Sequence, residues 1–145
     1  MIRRLYLLGL FIVLLSFSSI SNAETYRCVT MSSVGFEADQ NWQPAKFADR
    51  PVYLIRKMDE AERDNILIFP DPKINGRFSK EGELVEKGFC EISKLEINCN
   101  SSLGELYMAQ ENGRFTLTRD RGYILNLDED IFLDIGTCSL LEQDH

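Results

Sequence analysis

Cys28, Cys90, Cys99 and Cys138 constrain this chain more than any other feature. Four cysteines can pair in three ways, and the spacing of the middle two favours one of them. In GFCEISKLEINCN (88–100), apolar and polar residues alternate between Cys90 and Cys99. Folding that segment back on itself sets Cys90 opposite Cys99 and Ile92 opposite Ile97, with Ser93 to Glu96 as the turn. Both pairs then share one face, because side chains along a strand repeat every two residues. Lys94-Leu95 at the centre lacks the Asn-Gly chemistry that tight hairpins favour, and is the weak point of this reading. The remaining pair, Cys28 with Cys138, ties the first strand to the last. Read this way the sulfurs are crosslinks. No C-x-x-C is present and the only histidine is His145. The expectation is therefore no metal site, no cofactor and no histidine-activated nucleophile.

The rest of the pattern has the period of strands. TYRCVTM (25–31) alternates, VYLIRK (52–57) is rich in β-branched and aromatic residues, and ELYMAQ (105–110), RFTLTR (114–119), GYILNL (122–127) and IFLDIGTCSLL (131–141) follow. ILIF (66–69) reads as a short buried strand closed by PDP. Asp39-Gln40-Asn41, Asn75-Gly76, Glu111-Asn112-Gly113 and Asp120-Arg121-Gly122 mark turns. Asp59 with Glu62 three residues on is a capping-box signal for one short helical turn. About eight strands at this spacing predict an all-β, antiparallel barrel or sandwich. A Cys28–Cys138 link favours a closed sheet, which also removes exposed edges.

Residues 1–23 read as a signal peptide: MIRR is a basic start, LYLLGLFIVLLSF an apolar run, and Ala23 ends a stretch of small residues. The apolar run is short for a membrane span, so no membrane anchor is expected after cleavage. The domain would then be 24–145, a single disulfide-stapled unit in the periplasm or outside the cell, where disulfides persist. The leader holds Arg3 and Arg4 and no acid, so the chain from Glu24 onward carries 14 basic against 23 acidic side chains, a net charge of −9. That balance opposes nucleic acid and suits a cationic protein partner.

Few constellations carry chemistry. The acidic run Asn126-Leu127-Asp128-Glu129-Asp130 has some of the spacing of a calcium loop, but Ile131 and Thr137 stand where its glycine and glutamate belong. It reads as a solvated turn. No G-x-S-x-G elbow or phosphate-cradling glycine loop occurs. No catalytic residue is assigned, and an enzyme would have to work with paired carboxylates alone. The aromatic group Phe36, Trp42, Phe47 and Tyr53 is the candidate ligand-binding set, either as exposed anchors or as rings plugging one barrel end.

The fragments RCV (27–29), VGF (34–36), WQPAKF (42–47), YLIRK (53–57) and IGTCS (135–139), with the paired mid-chain cysteines, resemble a group of small exported proteobacterial β-proteins with two disulfides. That resemblance covers most of the chain after the leader. It implies export and contains no catalytic signature. In architecture the chain is also similar to periplasmic lysozyme inhibitors, which are small stapled β-barrels. The expectation is an exported non-enzymatic protein that binds a cationic protein or a small apolar ligand. Its most concrete form is an inhibitor of a cationic hydrolase such as lysozyme. The competing classes are a carboxylate-dependent hydrolase, which needs two buried acids in one cleft, and a structural subunit of an envelope assembly, which needs a broad exposed apolar patch.

Overall fold

The computed structural model describes residues 24–66, 71–120, 125 and 129–142. The expected leader lies outside the described residues, as do the strands expected at 66–69 and 122–127 apart from Ile66 and Leu125. The strands are β1 (Thr25–Glu37), β2 (Gln43–Lys46), β3 (Val52–Lys57), β4 (Gly76–Lys80), β5 (Gly88–Ile92), β6 (Glu96–Ser101), β7 (Gly104–Ala109), β8 (Arg114–Arg119) and β9 (Ile131–Leu140), with one short helix, α1 (Glu60–Asp64). Every pairing is antiparallel. The order β2-β1-β3-β4-β5-β6-β7-β8-β9, with β1 also paired to β9, closes eight strands into a barrel and leaves β2 on β1 alone. The fold is a closed barrel, not a sandwich.

Both cysteine pairs are direct cross-strand partners and both are disulfide-bonded. Counting round the ring, β3 and β4 separate the two staples on one side, and β7 and β8 on the other. They sit diametrically opposite. The Ser93–Glu96 turn is held by a serine where Asn-Gly was missing. Its hydroxyl donates to Glu96 O at 2.9 Å and accepts from the N–H groups of Leu95 and Glu96. The Glu111–Gly113 turn follows its sequence signal, with Gly113 at φ 66.

Inward residues of the eight barrel strands make one core: Cys28, Ile55, Phe78, Cys90, Ile97 and Leu117 are essentially inaccessible. Tyr53 joins them, stacked on Phe78 at 5.4 Å and edge-on to Phe115 at 6.2 Å. Near Met31 the β1–β9 register slips. This bulge lets Thr30 and Ser33, three residues apart, both turn inward. At the same place the backbones close in. A Cβ on Gly136 would meet Val29 O at 2.1 Å, so only glycine fits there.

One turn signal misled. Asn75-Gly76 does not make a hairpin tip, and Gly76 opens β4 with its backbone against Cys90 and Ile92. The Asn75 side chain behaves as an extra strand residue instead. Its Nδ2 donates to Ile92 O at 2.8 Å and its Oδ1 accepts from Ile92 N at 2.6 Å. The same amide that can stabilise a left-handed turn can complete a ladder, and here the partner strand is in reach. The short helix does form as the sequence indicates. Asp59 caps it and Glu62 returns a bond to the Asp59 N–H.

β1 divides its labour. Thr25–Val29 pair with β3, while Val34–Glu37 pair with β2 along the same edge. β9 runs along the other edge for the whole length. The β1–β2 hairpin thus extends the sheet past β3 and widens the outer face around Phe36.

Candidate functional site

Alternation fixes what each strand shows to solvent. On β5 to β8 the outward positions are Phe89 and Glu91, Asn98 and Asn100, Glu105 and Tyr107, and Thr116 and Thr118, each directly opposite the next across the sheet. With Ile66, Asp71 and Ile74 from the segment between α1 and β4, they line a groove of about 860 Å³. Three of its lining residues are carboxylates, Asp71, Glu91 and Glu105, all exposed. Among the described residues no lysine or arginine lines the groove. At the groove's edge Arg77, the cross-strand partner of Phe89, is paired with an acid. Its guanidinium lies 4.9 Å over the Phe89 ring and 2.8 Å from the Glu86 carboxylate.

The lining also takes in the buried Cys90, Cys99 and Leu106 and is apolar over most of its area, and two of its polar side chains are tied to Glu96. Tyr107 donates to the Glu96 carboxylate, and that bond holds the phenol above its ordinary pKa. Asn98 Nδ2 donates to Glu96 as well, at 3.3 Å, leaving Asn98 Oδ1 buried with no hydrogen-bond partner. An acceptor in that state favours a neighbouring donor. An exposed aromatic ring and a rim of carboxylates fit a positively charged group.

A second groove, of about 640 Å³, lies on the outer face of β1, β2, β8 and β9. Val34, Phe36, Ile131 and Leu133 give it an apolar wall, and Lys46, Arg119 and Asp120 stand in its lining. Arg119 is spoken for by Glu129 at 3.1 Å. Val34 and Phe36 are 37% and 42% exposed, high for side chains of their kind on a sheet face.

The four aromatic candidates do not come together. Phe36 lines the apolar groove. Trp42, half-buried, sits in the β1–β2 turn at φ 60, its N–H bonded to Glu37 O. Phe47, also half-buried, ties its N–H to Ser33 O. Tyr53 is a core residue, 3% exposed. Its hydroxyl donates to Asp134 Oδ2 at 2.7 Å, and burial followed by that bond keeps it protonated far above the ordinary range.

Asp134 is the only buried carboxylate among the described residues, and its Oδ1 has no partner. Of the acidic run at 126–130, residues 126–128 lie outside the described residues. Asp130 accepts from the Ala38 N–H at 2.9 Å and so fastens β9 to the β1–β2 turn. Among the described residues no three His, Cys, Asp or Glu side chains converge as metal ligands, and no helix is long and apolar enough to cross a membrane.

Sequence reasoning missed the acidic groove. Its signal was present as the polar half of each alternating strand, but only the strand register shows that Glu91, Asn98, Tyr107 and Thr116 form one row. No family model, curated protein sequence or solved structure matches the chain.

Proposed function

We propose that this is an exported, non-enzymatic binding protein whose acidic groove over β5 to β8 holds a basic protein, with inhibition of a cationic hydrolase such as a lysozyme as its most concrete form. The reading rests on one observation: among the described residues, the groove's lining has three carboxylates and no basic residue. Long-range charge acts in the same direction, because the chain from Glu24 onward carries net −9 and would steer a cationic partner toward it. Two disulfides suit an oxidising compartment, and the leader-like residues 1–23 support export there.

The test is retention of a basic lysozyme, and of a basic serine protease, on the immobilised protein at low and moderate salt. Exposed charges are screened over about 10 Å at 0.1 M salt. Binding should therefore weaken at least about tenfold between roughly 20 mM and 300 mM salt. Glu91→Lys, which reverses a charge on the outer face of β5, should weaken it further at low salt. No retention, or retention indifferent to salt and to Glu91→Lys, removes the proposal.

A further inference from the structure

The two grooves are neighbours. Thr118 of β8 lines both. A single cross-strand row links them, from Glu105 to Thr118, from Thr118 to Leu133, and from Leu133 to Val34. Three strand spacings make that path about 14 Å long, which about five residues of extended chain cover. Along this short path the surface changes character. At one end are Asp71, Glu91 and Glu105, and at the other Val34, Phe36, Ile131 and Leu133.

We infer that the partner engages both grooves with one segment, setting a basic side chain in the acidic groove and a large apolar side chain, about five residues away, against Phe36 and Leu133. This rests on the acidic-groove reading and narrows it from a basic protein to a basic, amphipathic stretch of one. Charge complementarity decides which end of the segment goes where. Among the described residues the acidic groove has no base in its lining, whereas the apolar groove holds Lys46, which repels a second cation. Exposed Phe36 gives the apolar end an aromatic anchor of the kind that concentrates binding energy. Joining two weak contacts in one segment also makes the second contact intramolecular, so affinity rises without a deeper pocket.

Three fluorescently labelled peptides of about ten residues, long enough to span both grooves, test this by anisotropy at low salt. One carries two arginines with Leu and Phe about five residues further on, the second has Ser in place of Leu and Phe, and the third has Gln in place of the arginines. The first should bind at least about tenfold tighter than the second, the gain expected from burying one large apolar side chain. In Phe36→Ser, an outward position that leaves the core intact, the ratio of those two affinities should fall to about one. In Glu91→Lys both arginine peptides should weaken.

Equal affinity of the first two peptides for the native protein overturns the two-groove inference and leaves the acidic-groove reading standing. Binding of the third peptide as tight as the first removes the acidic-groove reading itself. Self-association of the protein that Phe36→Ser abolishes would assign the apolar groove to a second copy of this chain and overturn the inference.

Discussion

The β1–β9 seam and the β5–β6 hairpin are built alike and used differently. Each is an antiparallel pair with a disulfide between directly opposed residues, and they face each other across the barrel. The hairpin staple spans a sequence separation of 9, the seam staple 110. Inside, the hairpin offers Ile92 and Ile97, while the seam buries Thr30, Ser33 and Asp134 beside a bulge. Outside, the hairpin carries the acidic groove and the seam the apolar one. One local motif thus serves two ends, because the ladder fixes only where a side chain points. What it presents there is free to differ.

Removing the staples one at a time should break the symmetry most. In the chain-entropy model a loop of about ten residues contributes about 3 kcal/mol and one of about 110 close to 5. Replacing Cys28 and Cys138 by alanine should therefore cost about 2 kcal/mol more than replacing Cys90 and Cys99. The urea midpoints of the two double variants measure this. Equal losses, or a larger loss at the hairpin, would show that the seam is held chiefly by its ten-residue ladder and not by its crosslink.

The interiors of the two regions differ by a polar group, and single atoms test that. Tyr53→Phe deletes the hydroxyl that donates to Asp134 and leaves a buried carboxyl with no partner of its own. The cost should be about 2–4 kcal/mol. Ile97→Val, which trims one methylene from the fully buried hairpin side, should cost about 1 kcal/mol. If Tyr53→Phe were the milder change, the Tyr53–Asp134 bond would not be what holds the seam's polar interior together.

The staples were legible because a cysteine pair and a period of two overdetermine a hairpin: once Cys90 faces Cys99, Ile92 must face Ile97. Closure followed from Cys28 and Cys138 for the same reason. What local chemistry missed has one cause. Asn75 was read as a turn residue, and Tyr53 as one ring of a set, either exposed or plugging a barrel end, while their hydrogen-bond partners, Ile92 and Asp134, lie 17 and 81 residues away. The acidic groove needed still more, since it exists only once four strands are aligned in register. Local signals carry the barrel, and non-local register carries its outer surface.

The smallest effect comes from the flank that joins the two regions through β3, where acid should act and the crosslinks should not. Arg56 holds Glu62 in a two-pronged bond at 2.7 Å. That bond, helped by the Asp59 N–H, lowers the Glu62 carboxyl from 4.5 to about 2. A carboxyl depressed in the folded state adds stability above its ordinary value, and that stability drains away as pH falls from 4.5 toward about 2. Both side chains are about a third exposed, 37% and 31%, so solvent screening keeps the loss below about 1 kcal/mol. Glu62→Gln keeps an acceptor for the cap and discards the charge. Its urea midpoint should drop less than that of the native protein between about pH 6 and pH 2.5, while the gap between the two staple-removed variants stays the same at both values, since disulfides do not titrate. A gap that changes with pH would mean that one staple is coupled to titrating groups around it, and the two seams would then differ in electrostatics as well as in loop length.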